Sequence, residues 1–209
     1  SGGATANHRK NRRLYSGHDA TTAGVYLNRN YGYKWGYDNY GSSPFVTSET
    51  YRGPSRFSEI ETRNARDFFL PKKIRTQIDY HSYGSYNLCV WGYSSTAEPI
   101  PDSVIQFEIL DSMRAKNGYP ASRTGPVARV LYRANGNSID WEVKDTLHDG
   151  VRKFMTFAMV IETNQNDFWE GWNDYSVIQR NINECRLVNI YFTKIAGVFF
   201  DNLQPIVAD

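Results

Sequence analysis

Four places in the chain carry side chains able to bind an anion, hold a metal or move a proton: Arg9, the pair Asn28-Arg29, His81 and Glu162. Glu162 follows directly on the apolar run from Phe154 to Ile161. A carboxyl group in that position is a candidate general base or acid, or else ordinary solvent-facing punctuation. His81 closes the alternating segment from Ile74 to Tyr80, and an imidazole there is either a metal ligand or a hydrogen-bonded structural group. Arg29 can present two parallel N–H groups to a carboxylate, although Asn28-Arg29-Asn30 also reads as a plain turn. Arg9 lies in the basic cluster His8-Arg9-Lys10-Asn11-Arg12-Arg13, which on charge alone is a solvated turn. Each residue by itself has an ordinary structural reading. Their shared feature is position, because an α/β sheet gathers its site at strand ends and the adjoining loops.

The elements that would position them can be read from periodicity. Residues 74–80 alternate apolar and polar and predict a strand delivering His81 at its tip. Cys89-Val90-Trp91-Gly92-Tyr93 reads as a second short strand, and the run from Phe154 to Ile161 as a buried central strand. Ser58-Glu59-Ile60-Glu61 has the capping-box pattern and predicts a helix to about Leu70, burying Ile60, Ala65, Phe68 and Phe69. Residues 103–117 predict an amphipathic helix stopped by Asn117-Gly118. A segment holding Tyr132 and Ser138-Ile139-Asp140-Trp141 leads towards another helix, and a long helix from about Asn173 to Phe200 closes the chain. Tyr31 to Pro54, rich in Gly, Ser, Asn and Tyr, reads as a long ordered loop, and loops of that length are often functional. Strands interleaved with helices imply an α/β fold.

Composition narrows the class further. At 209 residues and 24.0 kDa the chain suits one domain with a real core. Its 40% apolar and 22% charged residues exclude a disordered tail or a coiled coil. A net charge of +2 is too balanced for a dedicated nucleic-acid binder. No apolar run approaches the ~20 residues of a membrane-spanning helix. Cys89 and Cys185 form at most one bridge, and two separate thiols fit equally well. The opening Ser1-Gly2-Gly3-Ala4-Thr5-Ala6 lacks an initiator Met and reads as a processed or trimmed end.

The local contexts of the four places carry a more specific signal. Val25-Tyr26-Leu27-Asn28-Arg29-Asn30-Tyr31, followed by Lys34-Trp35-Gly36, resembles the V-D-L-N-R-N-(F/Y)…K-W-G segment of zinc metallocarboxypeptidases of the carboxypeptidase A/B type. Ser48-Glu49-Thr50-Tyr51-Arg52-Gly53-Pro54 with Phe57-Ser58-Glu59 resembles that family's S-E-T-Y-R-G-P-x-x-F-S-E. Arg9-Lys10-Asn11-Arg12, His81-Ser82-Tyr83 and Ser138-Ile139-Asp140-Trp141 resemble its R-K-N-R, H-S-Y and S-x-D-W motifs, in family order.

The resemblance implies a mixed β-sheet flanked by helices, a zinc-exopeptidase fold lacking its N-terminal portion, with residues 1–209 forming the C-terminal portion of one catalytic domain. It implies that His81 is a zinc ligand, that Glu162 is the catalytic acid–base, and that Arg9 stabilises the oxyanion. Asn28 and Arg29 become the clamp on a substrate's terminal carboxylate, and Tyr132 the residue that covers it. Ile139 takes the place of the pocket floor. With Val127, Leu131, Ala134 and Val160 it makes an apolar pocket suited to aromatic or aliphatic C-terminal residues. The implied activity is hydrolysis of the C-terminal peptide bond, with one Zn2+ as cofactor and peptide or protein C-termini as partners. The family's A/B-like members are mostly secreted or vesicular.

Two departures accompany this resemblance. The family's first two zinc ligands come from an upstream H-x-x-E, and none of His8, His18, His81 or His148 has a Glu three residues later. One imidazole cannot hold a catalytic zinc. This chain alone is therefore expected to be inactive, relying for the other ligands on an N-terminal portion that is a separate chain, lies upstream of this sequence, or has been lost. Tyr26 stands where the family has an Asp that orients a zinc-bound His. Together these departures keep open an inactive carboxypeptidase-like protein with a binding or structural role. An aromatic-rich carbohydrate-binding module would explain the Tyr and Trp content and none of the ordered motifs.

Overall fold

Alternation along two strands decides which side of the sheet the candidate residues occupy. The computed structural model describes residues 9–19, 21–144, 146–148, 151–165 and 174–202. Strands β1 (Thr76–Ser82), β2 (Tyr86–Cys89) and β3 (Thr124–Pro126) precede a small antiparallel pair, β4 (Thr146–His148) and β5 (Val151–Lys153), and then β6 (Phe157–Thr163). The main sheet is mixed, in the order β1-β6-β2-β3, with β1 parallel and β2 antiparallel to β6. Phe157, Met159 and Ile161 of β6 pack on one face and Ala158 and Val160 on the other. A period of two therefore sends Glu162 to the second face. In β1 the register aligns Asp79 with Val160 and His81 with Glu162, so the polar half of the alternating segment faces the same side.

Helices close both faces. On the first, α2 (Ser103–Asn117) and α5 (Tyr175–Asn202) meet over the sheet, and Ile109, Leu110, Met113, Val188 and Phe192 form one core with β6. Truncating one such side chain to Ala costs about 2–5 kcal/mol. Gly118, at φ 75, ends α2 by donating its N–H to Arg114 O at 2.8 Å. On the second face the short helix α4 (Ser138–Val143) and the one-turn α3 (Val127–Val130) cover β6 and β2, burying Ile139, Val143, Val127 and Leu88. Helix α1 (Ile60–Phe69) stands outside, joined through Phe69 to a cluster with Phe57 and Trp141.

Several expectations need correction. His81 and Glu162 lie inside β1 and β6, one residue before each strand ends, because the ladder continues to Ser82 and Thr163. The second strand ends at Cys89 instead of beginning there, since Val90–Tyr93 leaves the ladder to meet α4. The capping box does not form. Glu59 is the cap residue and makes no side-chain bond to the helix N-terminus; its carboxylate accepts instead from Ser58 Oγ at 2.7 Å and Asn11 Nδ2 at 2.7 Å. Ile60 and Phe68 are exposed, and α1 buries Thr62 and Phe69. In α2 Ile109, Leu110 and Met113 are buried with Gln106 and Asn117, whereas Val104 and Phe107 are exposed. The basic cluster is solvated only in part: Arg9, Arg12 and Arg13 are exposed, but Lys10 is buried, donating to the carbonyls of Thr22, Val46 (2.8 Å) and Ser48 (3.1 Å). Its first residue, His8, and the expected helix start Asn173 lie outside the described residues. Both cysteines are free thiols.

Candidate active site

The Asn28-Arg29 pair sits on a 3-10 turn, Leu27–Arg29, that long-range bonds hold rigidly. Asn30 is fully buried. Its Nδ2 donates to Arg52 O, Ser55 O and Ser58 Oγ at 2.8–2.9 Å, and its Oδ1 accepts from Thr62 Oγ1 at 2.7 Å. One amide thus stitches the turn to the Ser48–Pro54 segment and to α1, which gives that motif a structural reason. Gly136, at φ 65, passes so close that a Cβ would lie 2.6 Å from Arg29 O, so only glycine fits without displacement. The Tyr31 N–H donates to Gly136 O at 2.9 Å.

Helix α4 is anchored as firmly. Asn137 caps it by accepting the Asp140 N–H at 2.9 Å, and the buried Asp140 carboxylate accepts the N–H groups of Gly92 (2.9 Å) and Tyr93 (3.0 Å). Burial pushes the Asp140 carboxyl up to about 7, with the Gly92 N–H, the Asn137 side chain and Arg29 opposing. The anchored helix presents Ser138 and Ile139 to the turn. Ser138 N donates to Asn28 Oδ1 at 2.9 Å, and the Asn28 amide lies 3.3 Å from His81 Nε2.

These elements enclose a cavity of about 30 Å3, room for about one or two waters. Its lining includes Arg29, His81, Glu162 and Tyr132, together with Val127, Leu131, Ala134, Ile139 and Val160. All five apolar residues singled out in the sequence therefore meet the polar candidates at one place. Arg29 is 3% exposed, and it donates from Nε to Gly41 O (2.8 Å) and from Nη1 to Asn28 O (2.6 Å). Its remaining donors are available to a ligand. Burial pushes Glu162 up to about 7, while Arg9 and Arg29 pull the other way. Burial lowers the His81 pKa, Asp79 opposes this, and Arg29 and Arg9 reinforce it. Tyr132, 49% exposed, lines this cavity and two neighbouring clefts of about 750 and 470 Å3, so its ring is the wall between them.

Arg9 reaches the same group of residues by an unforeseen route. Its Nη2 donates to Tyr26 Oη at 2.5 Å, and its guanidinium carbon lies 4.2 Å from the Tyr26 ring centroid. Arg29 lies 4.9 Å from the same centroid. Tyr26 is 8% exposed and lines the cavity.

The sequence profile of zinc carboxypeptidases matches residues 3–177. The chain belongs to the zinc carboxypeptidase family. A metallocarboxypeptidase A-like protein of Trichophyton verrucosum is 37% identical over 144 residues, covering 66% of this chain and 33% of the relative. Zinc carboxypeptidase A 1 of Drosophila melanogaster is 38% identical over 120 residues, 54% of this chain and 27% of the relative. Bovine thrombin-activatable fibrinolysis inhibitor, solved in complex with tick carboxypeptidase inhibitor, superposes with a TM-score of 0.68 at 26% identity, over 93% of this chain and 62% of that one. Carboxypeptidase A of Helicoverpa armigera superposes at 0.64, also 26% identical, over 90% and 45%. The chain spans about a third of the length of the curated relatives it matches.

Family membership makes zinc the implied metal, and the described residues do not complete a site for it. Among them there is no group of three or more His, Cys, Asp or Glu side chains placed to share an ion, whereas a catalytic zinc takes three protein ligands. His81 is the one imidazole lining the cavity. Among the described residues no helix is long and apolar enough to cross a membrane. Sequence reasoning missed three contributors: the Gly41 carbonyl on Arg29, the Asn28 contact with His81, and the position of Tyr26 against both arginines. The first two involve a backbone atom or a long-range pair and leave no local signal. The third was visible only as a departure from the family pattern.

Proposed function

We propose that this chain is the C-terminal portion of a metallocarboxypeptidase catalytic domain that recognises peptide C-termini and prefers aromatic or aliphatic final residues. The observation that carries the reading is the convergence of Arg29, His81, Glu162 and five apolar side chains on one cavity. In this reading Arg29 receives the terminal carboxylate with charge-assisted hydrogen bonds. The cavity as it stands holds only about one or two waters. Tyr132, shared with the larger clefts, therefore swings aside to admit the final side chain and then lies over it. Burial against the apolar walls gains about 1.5–3 kcal/mol for a Phe or Leu. A Lys or Arg end would bury a charge without a partner at a cost of several kcal/mol, about 3–5 by analogy with broken buried pairs. Glu162 takes up and returns a proton at its carboxyl, and Arg9 stabilises negative charge developing on the scissile carbonyl oxygen. The proposal includes one zinc ion, with His81 as one ligand and the rest supplied from outside this chain, and a secreted or vesicular location.

A second reading, an inactive relative that only binds C-termini, is favoured by Tyr26, which packs against both arginines where the family pattern has a carboxylate. One panel separates the two. The intact protein should release Phe and Leu from peptide C-termini faster than Lys or Arg. Glu162→Gln should abolish release while leaving peptide binding within a few-fold. Binding without any release points to the second reading, and faster release of Lys or Arg contradicts the proposed pocket.

A further inference from the structure

Tyr26 touches both guanidinium groups of the cleft, yet neither catalysis nor the apolar pocket makes use of it. Its ring lies 4.2 Å from the Arg9 guanidinium carbon and 4.9 Å from that of Arg29, and its hydroxyl accepts from Arg9 Nη2 at 2.5 Å. An aromatic ring attracts a cation through its quadrupole, with no net charge of its own. Its hydroxyl accepts a hydrogen bond from Arg9. Tyr26 therefore restrains two like charges without neutralising either.

The surroundings preserve that charge. Among the described residues neither Arg9 nor Arg29 makes an ion pair within 4.0 Å. Backbone carbonyls, Gly41 O and Asn28 O, hold Arg29, and these position the guanidinium while leaving its charge in place. The carboxylates that act on Arg9 and Arg29 from nearby without pairing include Glu49, Glu162 and the buried Asp140. The two arginines also line the larger neighbouring cleft together with Arg133, which pairs with Asp38 at 3.8 Å.

We propose that Tyr26 is a positioning residue that holds Arg9 and Arg29 as a charged pair, making recognition of a free C-terminal carboxylate independent of any bound metal. The inference rests on the reading of Arg29 as the carboxylate clamp and adds the device that keeps the clamp charged and in place.

The test uses the intact protein with a chelator present and two peptides ending in Phe, one a free acid and one a C-terminal amide. Calorimetric titration should show the acid binding at least tenfold tighter than the amide. Tyr26→Phe keeps the ring, loses the hydroxyl bond to Arg9, and should weaken the acid a few-fold. Tyr26→Leu should weaken it at least tenfold, with amide binding unchanged throughout. In parallel, phenylglyoxal modification mapped by mass spectrometry should reach Arg29 several-fold faster in Tyr26→Leu than in the parent. Equal acid and amide affinity in the parent overturns the clamp reading itself. An intact acid preference in both variants, with unchanged Arg29 reactivity, overturns the role of Tyr26 and spares the clamp. Should Tyr26→Leu fail to fold, the conservative Tyr26→Phe decides by whether its acid affinity falls.

Discussion

At the scale of single residues, Arg29 shows how a buried cation is made useful. Its side chain is 3% exposed, and two of its donors are spent on backbone carbonyls. Those bonds fix the guanidinium plane, and a ligand that meets the remaining donors gains contacts already desolvated and oriented. Arg29→Ala should weaken binding of free-acid peptides by about 1.5–3 kcal/mol, the value of hydrogen bonds to a charged group. It should leave the amide form unaffected, as measured by titration of both. Equal losses for acid and amide would mean that the substitution had merely disturbed the cavity. The type of residue and its motif were legible in the sequence. Its partners were not, because Gly41 O is a backbone atom that no side-chain pattern announces.

At the scale of elements, the site depends on how closely the Leu27–Arg29 turn and helix α4 approach each other. The contact runs through Gly136, where φ is 65 and a Cβ would sit 2.6 Å from Arg29 O. The neighbouring atom is backbone and cannot swing away. Gly136→Ala should therefore cost more than the ~1 kcal/mol of an ordinary left-handed alanine, and it should loosen Arg29 and Ile139 together. Denaturant unfolding combined with peptide titration checks this. Loss of stability with unchanged peptide affinity would show that the turn and α4 can separate without harm to the site. Helix α2 and the central strand were legible from periodicity. The start of α1 was not, because buried Asn30 takes the Ser58 hydroxyl that the capping box would need, and that is a tertiary competition.

At the scale of the whole molecule, buried carboxyl groups set the pH response. Burial raises Asp140 to about 7 and Glu142 well above the ordinary carboxylate range, with nearby Asp79 adding to the rise at Glu142. Groups of this kind hold protons in the folded chain that the unfolded chain has already released. Stability is therefore highest below the ordinary carboxylate range and declines as pH rises towards 7 for Asp140 and beyond it for Glu142. A tenfold difference in proton affinity between folded and unfolded chain is worth about 1.36 kcal/mol. His81, lowered by burial, acts oppositely: its unfolded form gains a proton below about 6.5, so its contribution is lost in acid. Glu162, also raised to about 7 by burial, acts in the same direction as Asp140. With three buried acids against one imidazole, the intact protein should melt at a higher temperature near pH 5.5 than near pH 8. Glu142→Gln should reduce the difference, and a melting temperature that rises from pH 5.5 to 8 would contradict the assignment.

The sequence by itself determined the α/β class, the family resemblance and the chemical character of the site. Each of these is a local property: the alternation through Ile74–Tyr80, the apolar run before Glu162, and the order of short motifs. It also singled out the five apolar residues of the cavity wall. Only the tertiary structure decided that β1 lies parallel to β6 with His81 opposite Glu162, that Lys10 is buried, and that Tyr26 joins Arg9 to Arg29. Those outcomes follow from which distant segments bury each other's apolar faces and satisfy each other's backbone groups. A strand's own period fixes which residues share a face, and its neighbours are chosen by the packing of the whole chain.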